Sequence, residues 1–232
     1  MKNYLSSFKT LTKFEKGLWL ISLAVTILSY LLSYLFSGSG DLLNLIVSLI
    51  GVTALIFVAK GLVLGQLLTV VFSVFYGIIS VLFSYYGEMI TYLFMTTPMA
   101  IVAAIEWIKN PYRDTQEVKV HKVTKKQLAV MWLLALLVTV LFYFILKALN
   151  TANLFFSTVS ITTSFIASYL TFLRSPYYAI GYSANDVVLI ILWILASLEN
   201  ISYLPMVACF IMFLFNDLYG FYNWRRMQKR QK

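Results

Sequence analysis

The chain has 232 residues, of which 61% are hydrophobic and only 12% charged, with a formal net charge of +9. No soluble domain of this length carries that balance, so a soluble enzyme or binding module is excluded and a chain embedded in lipid is expected. The positive charge is not a nucleic-acid signal, because it is gathered in the gaps on one side of the hydropathy pattern.

In chain order, apolar runs fall at 18–36, 42–59, 62–84, 88–108, 128–149, 154–173, 180–198 and 203–224. A helix rising 1.5 Å per residue needs about 20 such residues to cross ~30 Å of hydrocarbon, so eight transmembrane helices are predicted. With a cytoplasmic N-terminus, every lysine and arginine except Lys147 falls on the inner side: Lys2 to Lys16, Lys60, the basic residues of 109–127, Arg174, and Arg225 to Lys232. The positive-inside bias therefore predicts a multi-pass protein of the cytoplasmic (inner) membrane with both termini cytoplasmic, its charge also drawn to anionic headgroups. The first run reads as a spanning helix followed by an outer loop at Ser37–Asp41, not as a cleavable signal. Tyr85–Gly87 and Glu199–Ser202 are the other expected outer turns, and Lys60-Gly61 and Arg174–Tyr178 the inner ones.

Only 109–127 is a long connection, and it divides the chain into comparable halves. Helices two to four close on Glu106-Trp107-Ile108-Lys109-Asn110, and helices six to eight on Tyr222-Asn223-Trp224-Arg225-Arg226. Three helices plus a single separator bring both blocks into the membrane from the same side. The expected architecture is thus a single all-α membrane domain over 1–232, with a 3+1+3 parallel pseudo-repeat of the sugar-facilitator (SWEET) type. A first three-helix bundle covers 42–108, a cytoplasmic loop 109–127, a linker helix 128–149, and a second three-helix bundle 154–224. A Trp followed by basic residues also anchors any helix at the interface, so this feature has a second reading.

Ionisable groups are nearly absent from the apolar runs; Glu88, Glu106, Asp186 and Asp217 fall at or near helix ends. Ion-coupled pumps usually carry an intramembrane carboxylate, so the pattern favours passive carriage of a neutral or weakly charged solute. Neutral polar residues form stripes instead: Gln66, Thr69, Ser73, Tyr76, Ser80 and Ser84 on the third helix, Ser157, Ser160, Ser164, Ser168 and Thr171 on the sixth. Thr158 and Thr162 flank the latter, Asn44 and Ser48 continue the theme on the second helix, and Asn216, Tyr219 and Asn223 share a face of the eighth. Residues three and four apart share a helix side. The small-residue run on the sixth helix suits either close helix packing or the lining of a path. The amides Gln66, Asn185 and Asn216 point to a polar solute, because buried amides need partners. Tyr76 and Trp193 lie near segment centres, where interfacial duty does not explain them, and offer ring faces for stacking.

There is no Gly-rich loop before Lys-Ser/Thr, so no ATPase engine is expected in this chain. The single His121 lies in the charged loop, Cys209 is the sole cysteine, and no cluster suits zinc. Neither catalysis nor a cofactor is expected, and no charged ring marks a channel filter.

The residues Ala59-Lys60-Gly61, Phe75-Tyr76-Gly77, Tyr86-Gly87-Glu88-Met89, Pro98-Met99 and Glu106-Trp107-Ile108-Lys109-Asn110 resemble the first repeat of the PnuC family of vitamin transporters. The run from Thr162 to Leu170, Asn185, Asn216-Asp217-Leu218-Tyr219-Gly220 and Trp224 are similar to its second repeat, and the likeness covers roughly 42–226. The resemblance implies homotrimers, an extra N-terminal helix (here 18–36), and facilitated diffusion of a vitamin-type nucleoside, foremost nicotinamide riboside. It leaves thiamine, riboflavin or a deoxynucleoside as alternative substrates of the same fold. The chain departs from the family pattern at Ala100, Ser168, Ala179 and Val188.

The expected function is uptake of nicotinamide riboside, with a cytoplasmic kinase trapping the product. Tyr76, Tyr182 and Trp193 are expected to stack on the solute, Gln66, Asn185 and Asn216 to hydrogen-bond it, and Thr162, Ser164 and Tyr219 to complete the site. A cationic substrate would call on Asp186 or Asp217. A reading of another class is a substrate-capture subunit that works with a separate ATPase.

Overall fold

The computed structural model describes residues 4–37, 42–82, 89–151, 153–199 and 204–232. The expected outer turns at 38–41, 85–87 and 200–202 lie outside the described residues, as do Ser84 and Glu88 and the side chains of Asn44 and Ser80.

A short 3-10 turn, Tyr4–Thr10, precedes α1 (Lys13–Ser37). Thr12 and Glu15 form a reciprocal cap there: the Glu15 amide donates to Thr12 Oγ1 at 3.2 Å and the Thr12 amide to Glu15 Oε2 at 2.6 Å, which satisfies two donors that a helix start leaves open. Next come α2 (Leu42–Ala59) and α3 (Val63–Leu82). The turn between them needs Gly61, whose φ is +72°. Gly65 then lets the two helices touch: a Cβ there would meet the Val58 backbone nitrogen at 2.4 Å.

A π-helical stretch, Thr91–Thr96, leads into α4 (Thr97–Lys109), with Pro98 in the first turn of α4. Thr124 and Gln127 cap α5 (Lys125–Ala148). The remaining helices are α6 (Leu154–Phe172), α7 (Tyr178–Glu199) and α8 (Leu204–Arg230).

Packing runs α2–α3–α4–α6–α7–α8 and back to α2, a closed ring. Helix α1 lies outside it against α2 and α8, and α5 lies outside against α6. One end of the ring is locked by Trp107 and Trp224, both at 0% exposure with ring centroids 5.3 Å apart. The indole of Trp107 donates to the Thr171 carbonyl on α6, and that of Trp224 to the Val58 carbonyl on α2, each at 2.9 Å. These are core bonds between helices rather than anchors at a lipid interface. The 109–124 connection seals the same end: the Val118 amide donates to Gly61 O at 2.8 Å and the His121 amide to Arg174 O at 3.0 Å, while Arg174 pairs with Glu106 at 3.2 Å.

The expectation of eight spanning helices in a SWEET-like 3+1+3 pseudo-repeat is corrected here. Among the described residues six helices are long and apolar enough to cross a membrane: α1, α4 with its π-helical lead, α5, α6, α7 and α8. In α2 and α3 the described apolar parts are Leu45–Ala59 and Val63–Ile78. Much of α2 faces protein, with Val52, Ala54, Ile56, Phe57 and Val58 all buried. Hydropathy alone cannot distinguish such a helix from one facing lipid. Helices α2, α3, α4, α6, α7 and α8 close on one interior.

Candidate functional site

The ring encloses a cavity of about 280 Å3, close to the lower end of the ~300–1,000 Å3 typical of small-molecule sites. Every ring helix contributes to its wall.

On α3 the stripe at three- and four-residue spacing delivers Gln66, Thr69 and Tyr76, together with Phe72. The Gln66 amide is the clearest polar feature on this side. At 2% exposure it has no hydrogen-bond partner among the described residues, so its donors and acceptor are open to whatever fills the cavity. Ser73 leaves the stripe and accepts from Thr97 Oγ1 at 2.9 Å, tying α3 to α4. Phe72, Tyr76 and Tyr92 form an aromatic corner, with Tyr76 and Tyr92 centroids 4.4 Å apart.

On α6 the predicted stripe of Ser157, Ser160, Ser164, Ser168 and Thr171 lines the cavity throughout. The flanking Thr162 turns the other way and bonds Thr139 of α5 at 2.7 Å. Helix α7 presents Tyr182, Asn185, Asp186, Leu189 and Trp193, again at helical spacing. Asn185 Oδ1 accepts from Ser160 Oγ at 2.9 Å and Thr163 Oγ1 at 3.0 Å. That leaves the Asn185 NH2 group to donate. Tyr182 and Ser168 share a hydrogen bond at 3.0 Å. Trp193 stacks on Phe210 of α8 with centroids 6.5 Å apart and planes 17° apart.

Six of the sequence-predicted site residues therefore meet at one cavity: Gln66, Tyr76, Ser164, Tyr182, Asn185 and Trp193. Asn216, Tyr219 and Thr162 do not line it. Asn216 Nδ2 donates to Ser22 of α1 at 2.9 Å. Tyr219 donates to Glu15 Oε1 at 2.7 Å, while Lys60 pairs with Glu15 Oε2 at 2.7 Å. This face of α8 docks the N-terminal helix.

Two residues that the hydropathy pattern sets near helix ends stand in the wall instead. Asp186 and Asp217 are each at 4% exposure and both line the cavity. The reason is that α7 begins at Tyr178 and α8 runs on to Arg230, beyond the apolar windows, so both carboxyl groups sit turns inside their helices. The expected uncharged interior is corrected accordingly. No lysine, arginine or histidine is among the described lining residues.

The chain matches, over residues 41–226, the family described as nicotinamide mononucleotide transporter. It is 28% identical over 189 residues to the nicotinamide riboside transporter PnuC of Neisseria mucosa, a match covering 78% of this chain and 70% of that one. It superposes on a crystal structure of the vitamin B3 transporter PnuC with a TM-score of 0.77 and 25% identity, covering 96% of this chain and 94% of the other. The fold that it matches is that of PnuC and not that of SWEET, which completes the correction made above. A buried cavity in a ring of membrane helices, and a match spanning most of the chain, place this transport protein in the PnuC-type nicotinamide mononucleotide transporter family.

Proposed function

We propose that this protein carries nicotinamide riboside across the membrane by facilitated diffusion, through the cavity inside the helix ring. The family description names a mononucleotide and the Neisseria relative a riboside. One observation favours the riboside for this chain: among the described residues the cavity wall holds no basic side chain. A phosphomonoester carries about −1.5 to −2 charges at neutral pH and needs cationic partners when desolvated. The riboside needs ring faces for its heterocycle and donors and acceptors for its hydroxyls and carboxamide. Tyr76, Tyr182 and Trp193 supply the first; Gln66, Ser164 and Asn185 supply the second. Thr162, Asn216 and Tyr219 act one layer back, holding α5 and α1 against the ring.

The same chemistry gives uptake its direction. A cytoplasmic kinase that phosphorylates the ribose creates a product the wall cannot hold, so flux continues inward. The proposal places the protein in the cytoplasmic membrane with both termini inside, on the positive-inside bias, and as a homotrimer, on the resemblance to PnuC proteins.

The test is uptake into proteoliposomes that contain no kinase and no imposed ion gradient. Saturable entry of nicotinamide riboside that stops when inside and outside concentrations match, with no entry of the mononucleotide, is expected. Uphill accumulation, dependence on an added ATPase, or equal entry of the mononucleotide would refute it. Thiamine, riboflavin and a deoxynucleoside run alongside as competing solutes.

A further inference from the structure

Asp186 and Asp217 come from different helices, yet their carboxyl groups lie within hydrogen-bonding reach of each other. Both are cavity-lining and nearly solvent-free. One oxygen, Asp186 Oδ2, is buried with no hydrogen-bond partner. A purely structural carboxyl pair would be saturated by its neighbours; an orphaned oxygen in a cavity wall points to a ligand.

The charge around this pair is equally telling. Two carboxyl groups this close share a proton, so the pair carries at most one negative charge; that charge needs a counter-charge, and the described lining residues supply none. The ion pairs of the described residues, Lys60–Glu15, Arg174–Glu106 and Arg230–Glu117, all involve other carboxylates. Ionisable groups at membrane depth are costly, and those that persist mark solute pathways. Their neighbours on the wall are aromatic. Tyr182 precedes Asp186 by one turn and Trp193 follows it by two, while Phe213 lies one turn before Asp217. A ring face beside a carboxylate is a cage for a flat organic cation, held by cation–π attraction and by charge.

We propose that Asp186 and Asp217 are charge-selecting residues, which make the cavity prefer a heteroaromatic cation over a neutral molecule of the same shape. The inference rests on the transport reading above and deepens it, because an N-glycosylated pyridinium carries a fixed positive charge. It also accounts for a polar cavity whose described wall lacks a basic side chain.

The experiment compares matched pairs of solutes by calorimetry on the purified full chain. Nicotinamide riboside is paired with its dihydro form, which is nearly isosteric and uncharged; thiamine is paired with a neutral deaza analogue. The wild type is expected to bind the cation of a pair ~10-fold or more tightly than its neutral partner. Asp186→Asn with Asp217→Asn should bring that ratio close to one. Equal affinities in the wild type, or a ratio that survives in the double variant, overturn the proposal. The wild-type comparison decides the matter even if the double variant fails to fold. Cation preference in the thiamine pair, with neither nicotinamide form binding, supports charge selection while overturning the nicotinamide reading. No binding of any of the four solutes overturns both.

Discussion

Replacing Asn185 by alanine separates what the cavity wall does for the fold from what it does for the solute. In the folded chain Asn185 Oδ1 receives Ser160 Oγ and Thr163 Oγ1. Thr163 also donates to the carbonyls of Val159 and Ser160, so it keeps partners when the amide goes. Ser160 has no other partner among the described residues, so its hydroxyl is stranded. A stranded hydroxyl costs about 1–3 kcal/mol when fully buried; Ser160 is half-buried in the cavity wall, so the lower end is the expected loss of stability in a thermal or denaturant melt in detergent. Binding loses something different, the NH2 donor that faces the cavity. A neutral hydrogen bond is worth about 1 kcal/mol net, roughly a fivefold weakening of Kd. Adding Ser160→Ala removes the stranded hydroxyl, so much of the stability should return while the weakened binding persists. If binding recovers together with stability, Asn185 supports the wall and does not touch the solute. If Asn185→Ala alone leaves both unchanged, the hydrogen-bond geometry described for α6 and α7 is wrong.

Glu15→Ala should release the N-terminal helix. Glu15, at 2% exposure, holds Lys60 and Tyr219 at once, and removing one member of a buried ion pair costs about 3–5 kcal/mol; Lys60, at 12% exposure, can reach water, so the lower end is expected, read as faster proteolysis within α1 and a lowered melting temperature. Gly65→Val should be worse tolerated than Gly17→Val. The first places a side chain on the Val58 backbone, whereas nothing lies within 4 Å of the second; forced overpacking costs about 1–3 kcal/mol or more, and equal yields of folded protein from the two variants would refute the close approach of α2 and α3.

What the sequence made legible, and what it hid, divides along physical lines. Periodicity at three and four residues is a local property, and the stripes on α3 and α6 turned inward largely as their spacing requires: Gln66, Thr69 and Tyr76 on one, Ser157 through Thr171 on the other. Which neighbour a stripe meets is not local. The Asn216 and Tyr219 face of α8 obeys the same spacing, yet it meets α1 instead of the cavity, because α1 packs on the outside of the ring and nothing in α8 encodes that choice. The count of spans was misjudged for a related reason. A run of apolar residues is equally content in lipid and against other helices, and α2 takes the second environment over much of its length. The carboxyl groups were hidden by the opposite error. Asp186 and Asp217 lie only six and seven residues inside the predicted runs 180–198 and 203–224 and so read as near-boundary residues, whereas the helices extend further still, to Tyr178 and Arg230. Charge at a window's edge is therefore ambiguous between a membrane surface and a binding site. Company separates the two cases: Glu15, Glu106 and Glu117 sit beside Lys60, Arg174 and Arg230, whereas Asp186 and Asp217 share the cavity wall with Tyr182, Trp193 and Phe213, the surroundings that the proposed selection of a cation requires.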